Sequence, residues 1–323
     1  MIDRRGFGLG LGALTLLPVT AYTRAKGKIG YLHPVTISPS HIHITFSILK
    51  QAWERLGYQQ GETVFTRSGE GNAQRLPELV TELIAQGVGV LIVVGADAVR
   101  AAARTTKAVP IVAIDMETDP IQTGLITSYA RPGGNVTGLF LDLPSLATKW
   151  IELMREAVPR LERIAFAWQP STGRNQLDIA LRAAQAMQID AVILEIEPSV
   201  DFASKFSRLA SAKPTGVVQL TLPGGSIVIA SYAAAAERHG LPSITFSRAG
   251  AKAGSLMSYG PSQEAYYPRA VEIADRILGG DKVGEIPIER PFKFEFVINL
   301  KTARTLGLTI PPALLARADE VIE

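Results

Sequence analysis

Cysteine is absent from this chain of 323 residues. Without thiols the chain can form neither disulfides nor thiolate metal sites, and we expect no lipid anchor of the kind that is attached to a cysteine at the cleavage site. Its apolar runs are also shorter than the roughly 18 residues that a membrane-spanning helix needs. These absences predict a soluble mature protein that depends on ordinary core packing.

A strong charge of one sign is missing as well. Lys and Arg total 33 against 30 Asp and Glu, a formal net charge of +3. Arg4, Arg5 and Arg24 stand near the start against Asp3, so the rest of the chain is almost neutral. A nearly neutral chain has no electrostatic basis for binding nucleic acid or an anionic membrane. We therefore expect no nucleic-acid partner.

Residues 1–25 have the three-part layout of a secretory signal. The paired arginines of Arg4-Arg5-Gly6-Phe7 resemble a twin-arginine export motif, and they lead into a weakly apolar run at 7–18. Small residues follow, which predicts cleavage after Ala21 or Ala25. The sequence thus predicts export and a periplasmic protein that is freely diffusing.

Strand-like and helical stretches alternate along the remaining chain, and the pattern restarts after a Gly-rich turn at 133–135, which is predicted to mark a hinge. Such alternation predicts parallel sheets with helices on both faces, here two doubly wound α/β lobes. Strands are predicted at 28–32, 62–67, 88–94, 110–114, 124–128, 136–141, 163–168, 190–196, 216–220, 243–246 and 292–298. Helices are predicted at 44–56, 76–86, 96–105, 146–157, 176–187, 201–210, 227–239 and 265–278.

The boundaries assign 26–140 plus 256–288 to the first lobe and 141–255 plus 289–323 to the second. In open α/β sheets ligands bind outside the carboxyl ends of the strands. We therefore expect a binding cleft between the carboxyl ends of the two sheets.

Several short motifs, which occur in order over nearly all the mature chain, resemble one family. That family comprises the substrate-binding components of ABC importers, in the branch whose studied members bind aromatic amino acids. The motifs are Leu56-Gly57-Tyr58 with Gly61, 109–112 (VPIV), Asp119-Pro120 with Gly124-Leu125, 130–138 (ARPGGNVTG), 256–260 (LMSYG) and the closing block 293–323.

The resemblance implies the fold of a type I periplasmic binding protein, in which two α/β lobes are joined by three crossings and a hinge. It implies a small-molecule ligand, aromatic amino acid or related carboxylate, as the cargo. An ABC permease and ATPase are the implied partners, and we expect the chain itself to use no cofactor and to be no enzyme. We expect a monomer. A periplasmic sensor that presents the closed lobes to a receptor is the alternative, because it needs the same cleft.

The chain departs from this family at one point. The resemblance implies an acidic residue in the second-lobe loop after 217–220, as the partner of a ligand ammonium group. This sequence has 221–226 (TLPGGS) there instead. Asp97, Asp115, Glu195 or Glu197 could substitute for it from another loop.

Candidate ligand contacts come from strand ends and helix starts. Trp168 and Gln169 offer a stacking face and an amide, although Trp168 could equally belong to the core. The backbone N–H groups around Gly225 and Ser226 could hold a carboxylate at a helix start, or Ser226 could simply cap that helix. Asp97 has the same two interpretations, as a contact or as a cap. The full predicted set is His33, Arg67, Asp97, Asp115, Trp168, Gln169, Thr221, Gly225, Ser226, Arg248 and Tyr259.

Other chemistry is weakly supported. His33, His41 and His43 lie close in sequence, but the spacing of the last two places them on different faces of a helix, so no metal is predicted and a metal carrier stays a minor alternative. The chain has no Gly-x-Ser-x-Gly elbow for a nucleophilic serine.

Overall fold

A computed structural model describes residues 26–34, 43–115, 117–197, 202–211, 216–222 and 225–323. It confirms the predicted α/β class, because two separate sheets are each packed between helices.

The first sheet has five parallel strands in the order β2-β1-β3-β4-β5. Its strands are β1 (Ile29–His33), β2 (Val64–Ser68), β3 (Val90–Val94), β4 (Ile111–Asp115) and β5 (Val136–Phe140). Its helices are α1 (His43–Arg55), α2 (Leu76–Ala85), α3 (Ala96–Thr105) and α9 (Gln263–Gly279).

Both faces of this sheet are covered, which explains why β3 consists of apolar residues only. Val90, Ile92 and Val94 pack towards α1 and α9, and the alternate residues Leu91 and Val93 pack towards α2 and α3. This alternation is the side-chain period of a strand, and burial on both faces is typical of parallel sheets.

The second sheet has seven strands in the order β12-β11-β10-β9-β8-β6-β7. Its strands are β6 (Arg163–Trp168), β7 (Asp190–Glu195), β8 (Gly216–Gln219), β9 (Ser243–Thr245), β10 (Met257–Pro261), β11 (Phe294–Asn299) and β12 (Glu320–Ile322). Its helices are α4 (Ala147–Ala157), α5 (Asn175–Ala186), α6 (Phe202–Ser211), α7 (Gly225–Arg238), α8 (Arg248–Lys252), α10 (Leu300–Thr305) and α11 (Pro312–Leu315). All strand pairs are parallel except β10 with β11.

The two lobes repeat one topology. The order β7-β6-β8-β9-β10 in the second sheet reproduces the order β2-β1-β3-β4-β5 in the first. Each strand end in one lobe therefore has a counterpart in the other: β3 corresponds to β8, and β4 corresponds to β9.

The chain crosses between the lobes three times. It leaves the first sheet after β5, returns after β10 to α9, and enters β11 after α9. The predicted first-lobe segment 256–288 needs a correction here, because β10 pairs with β9 and β11 in the second sheet. The first and third crossings are tied by an ion pair of 2.9 Å between Asp142 and Arg290.

Two further expectations are wrong. Residues 124–128 form turns and not a strand: the carbonyl of Pro120 accepts hydrogen bonds from the N–H groups of Leu125 and Ile126 instead. The turn at 133–135 lies at the amino end of β5, where the N–H of Gly133 donates to the carbonyl of Gly284 at 3.1 Å. It therefore lies at the opposite end of the strand from the crossing.

Gly138 allows β5 to lie close to β4. A Cβ atom at this position would lie 2.1 Å from the carbonyl oxygen of Ala113, and the backbone has a φ of +132°. We predict that Gly138→Ala lowers the free energy of unfolding by about 3 kcal/mol or more, because both the clash and the backbone conformation oppose a side chain.

Urea unfolding followed by circular dichroism measures this change. Gly134→Ala is the matched control, because a Cβ atom there has no neighbour within 4 Å. Equal stability of the two variants would contradict the close approach.

Candidate functional site

The carboxyl ends of the strands in the two sheets face each other. The first crossing starts at the carboxyl end of β5, and the second starts at the carboxyl end of β10. The third crossing ends at β11, which is antiparallel to β10 and therefore begins beside the carboxyl end of β10. Short crossings can join these points only when the two carboxyl edges are adjacent. The candidate site therefore lies between the two edges, as doubly wound sheets generally arrange it.

His33, Asp97 and Asp115 all lie at the carboxyl edge of the first sheet. His33 is the last residue of β1, and Asp115 is the last residue of β4. Asp97 is the second residue of α3; Gly95 occupies the cap position, so Asp97 is no cap. The exposed carboxylate of Asp97 forms an ion pair with Arg100 one turn later.

Asp115 is buried and organises the loop after β4. Its Oδ1 accepts hydrogen bonds from the N–H groups of Glu117 and Thr118, both at 2.9 Å, and its Oδ2 accepts one from the Thr118 hydroxyl at 2.6 Å. Both carboxylate oxygens therefore already have partners, and the role of Asp115 is to fix the backbone that carries Glu117.

Glu117 is a candidate site residue that the sequence motifs did not predict. Its partly buried carboxyl group has no hydrogen bond or ion pair among the described residues. Burial, together with the nearby carboxylates of Asp115 and Asp97, raises the pKa of Glu117 to about 8, and the guanidinium of Arg100 opposes part of this shift. Raised pKa values of this kind are typical of functional sites. Its position two residues beyond a buried strand was the available signal.

Trp168 and Gln169 end β6 on the facing edge. The indole of Trp168 is only 7% exposed, and its Nε1 donates to the carbonyl of Gly173 at 2.8 Å. The guanidinium of Arg174 covers the ring at 5.7 Å. The structure places Trp168 in the second-lobe core, and its role as a ligand contact stays a prediction. Gln169 is buried beside it.

Buried polar atoms without partners gather at this second-lobe edge. Gln176 on α5 holds the backbone N–H of Thr221 through its Oε1 at 2.8 Å, while its Nε2 has no partner. Both side-chain polar atoms of Gln219, at the end of β8, and the hydroxyl of Thr221 also lack partners. A buried polar group without a hydrogen bond destabilises a protein by roughly 1–3 kcal/mol. Four such atoms in one place make this edge a candidate site for a ligand that forms hydrogen bonds.

Helix α7 follows this cluster. It begins at Gly225, so Ser226 lies inside its first turn and is not the residue before it. The side chain of Ser226 lies outside the described part of the structure. The backbone start of α7 nevertheless contributes a partial positive charge near Thr221.

Three other predicted contacts have partners elsewhere. Arg67 Nε pairs with Glu82 on α2 at 2.6 Å. Arg248 pairs with Glu264 of α9 at 3.3 Å and also with Glu320. The ring of Tyr259 stacks on Phe294 with centroids 5.8 Å apart, and it belongs to the second-lobe core.

A cavity of about 160 Å³ lies beside Arg248, near the second crossing. Residues from both lobes line it, among them Ile48, Phe246, Lys252, Gln263 and Glu295. The side chain of His41 lies outside the described residues, as does that of His43, so the prediction that no metal binds there stays a prediction. Within the described ranges, no helix has the length and apolar character needed to cross a membrane.

Comparison with known protein families identifies the chain. The family model for ABC transporter substrate binding proteins matches residues 35–322. The chain belongs to this family.

Solved structures agree with the fold. The L-Trp complex of an ABC domain from Streptococcus pneumonia is 22% identical, with a TM-score of 0.79 over 91% of this chain and all of that one. The ligand-free, open structure of a substrate-binding protein with adhesive properties from Clostridium difficile is 20% identical, with a TM-score of 0.65 over 92% of this chain and 99% of that one. These likenesses confirm the type I periplasmic binding protein fold.

A curated relative is also similar in sequence. It is a tyrosine-binding protein from Clostridioides difficile strain R20291, which is 22% identical over 263 residues, 80% of this chain and 75% of the relative. The family resemblance that the sequence motifs indicated is thereby confirmed.

The raised pKa of Glu117 gives this substrate-binding protein a pH-dependent stability. Between the ordinary pKa of 4.5 and the folded-state pKa of about 8, the folded protein binds a proton that the unfolded chain has released. The free energy of unfolding should therefore fall as the pH rises from about 5 to 8, by up to about 1.4 kcal/mol per pH unit.

We predict that Glu117→Gln removes this contribution, so that its stability depends less on pH than that of the wild type. Urea unfolding at pH 5, 6, 7 and 8 measures the difference. Glu62→Gln, which changes an exposed glutamate in the same lobe, should retain the wild-type dependence. Identical pH dependence in the wild type and Glu117→Gln would show that the Glu117 carboxyl is not desolvated.

Proposed function

We propose that this chain is the solute receptor of an ABC importer and that it binds an amino acid or a related small carboxylate between its two lobes. Membership of the family supports the general role. A relative named for tyrosine binding and a similar fold solved with L-Trp support the ligand class.

One observation carries the position of the site. Gln176, Gln219 and Thr221 bury polar atoms that have no partner, at an edge that faces the other lobe. No group of the described residues forms a hydrogen bond with these atoms. A solute that inserts between the lobes supplies the missing hydrogen bonds, and this gain in free energy favours the bound state.

Closure over the solute is a shift between two arrangements of rigid lobes. A ligand that touches both edges binds the closed arrangement more tightly than the open one, and this difference in affinity drives the change. The crossings are the only covalent links between the lobes, so they must absorb the motion.

Export to the periplasm is part of the proposal. It rests on the paired arginines and apolar run in residues 1–25, which lie outside the described residues. A soluble receptor that meets its permease at the outer face of the inner membrane needs such a signal. The permease and ATPase are the partners that the family description implies.

We predict that one or more aromatic amino acids raise the melting temperature of the purified mature protein. A ligand at 100 times its Kd adds about 2.7 kcal/mol to the stability, which shifts the melting temperature of a protein of this size by several degrees. A thermal-shift screen of the twenty amino acids, their deaminated analogues and other small carboxylates measures this directly. Failure of every compound to shift the transition would contradict the proposed function.

A further inference from the structure

The two facing edges differ in charge. At the first-lobe edge, the carboxyl groups of Asp97, Asp115 and Glu117 lie close together, with the guanidinium of Arg100 near them. The second-lobe cluster of Gln176, Gln219 and Thr221 is uncharged. A dipolar solute between the two edges is therefore oriented by the electrostatic difference.

Glu117 is the one carboxyl group of the first-lobe edge without a partner in the described structure. Asp115 accepts three hydrogen bonds within its own turn, and Asp97 pairs with Arg100. The turn around Asp115 also holds the backbone of Glu117 through its N–H. The carboxyl group of Glu117 is therefore preorganised to pair with a cation from outside the lobe.

The unpartnered atoms of the second lobe suit the opposite group. Three of them can donate hydrogen bonds: Gln176 Nε2, Gln219 Nε2 and the Thr221 hydroxyl. The start of α7 at Gly225, four residues after Thr221 in the chain, adds the positive end of a helix of 14 residues. Several neutral donors and a helix start can hold a carboxylate without a cationic side chain.

We propose that the cleft binds a zwitterion in one orientation, with its ammonium group paired to Glu117 and its carboxylate held by the uncharged second-lobe cluster. This inference rests on the proposed function and names the groups that select its ligand. It also explains how the site can do without an acidic residue in the loop at 221–226.

The pairing is coupled to a proton. The charged groups that act on Glu117 are Asp115 at the end of β4 and Asp97 and Arg100 on α3. With a pKa of about 8, the free Glu117 is mostly protonated at pH 7. An ammonium group favours the ionised form, so binding should release about one proton to the buffer.

Three probes distinguish the contribution of each charged group of the ligand. L-Tyrosine carries both groups, tyramine lacks the carboxylate, and 3-(4-hydroxyphenyl)propionate lacks the ammonium group. L-Tryptophan and its two corresponding analogues form a second set. Calorimetric titration compares the wild type with Glu117→Gln, Gln219→Met and the control Glu62→Gln. Each variant is nearly isosteric, and thermal melting verifies that it is folded.

Glu117→Gln should lower the affinity for the amino acid and the amine by about tenfold to a hundredfold and leave the affinity for the propionate unchanged. Gln219→Met should lower the affinity for the amino acid and the propionate and leave the affinity for the amine unchanged. Glu62→Gln should bind all probes like the wild type. The proposed orientation would be overturned if Glu117→Gln lost equal affinity for all three probes. It would also be overturned if Glu117→Gln weakened binding of the propionate and Gln219→Met weakened binding of the amine. Neither result would contradict the proposed function.

A measurement on the wild type alone provides an independent test. At pH 7 the heat of binding of the amino acid should change with the ionisation enthalpy of the buffer, and that of the propionate should not. Binding of the amino acid without proton release would also overturn the inference. If no amino acid binds the wild type at all, the proposed function itself fails.

Discussion

The three crossings are the constraint on which the rest of the structure depends. They join the carboxyl ends of β5 and β10 to the opposite lobe, so the loops that carry chemistry in each sheet must face one another. Contacts at the crossings are close: Asp142 pairs with Arg290, and a Cβ atom on Gly260 would lie 2.1 Å from the carbonyl oxygen of Phe246. The strand ends near the crossings are therefore held together, whereas β2 and β7 lie at the far edges of their sheets, away from the crossings.

The facing edges are built from the same topology but carry different chemistry. In the first lobe, acidic side chains crowd the ends of β3 and β4, and the buried Asp115 is used entirely to shape the loop that presents Glu117. In the second lobe, Gln176 on α5 and Gln219 and Thr221 at the end of β8 are uncharged, and each buries a polar atom that lacks a partner among the described residues. Both arrangements are unfavourable without a ligand: one leaves a desolvated acid, and the other leaves unpaired donors. Such local instability is common where a protein binds its ligand.

Most of the fold could be predicted from the sequence because fully buried parallel strands and amphipathic helices leave strong periodic patterns. The run at β3 and the helix α3 are examples. The site could be predicted only in part. Strand ends located Asp115 and Thr221 correctly at the carboxyl edges, but ion pairs across the fold, such as Arg67 with Glu82, depend on tertiary contacts that no local pattern records. Glu117 was missed for the same reason: its importance comes from burial and from the carboxylates of Asp97 and Asp115, which are brought near only by folding.

The measurement that tests the account most directly is the distance between the lobes with and without ligand. Because the chain contains no cysteine, two introduced cysteines can carry spin labels without background labelling. Exposed positions near the far edges of the two sheets are suitable, for example Gln74→Cys near the end of β2 and Glu197→Cys just after β7. Double electron–electron resonance should show a distance distribution that shortens and narrows when the amino acid that stabilises the protein is added. An unchanged distribution at saturating ligand would contradict binding between the lobes.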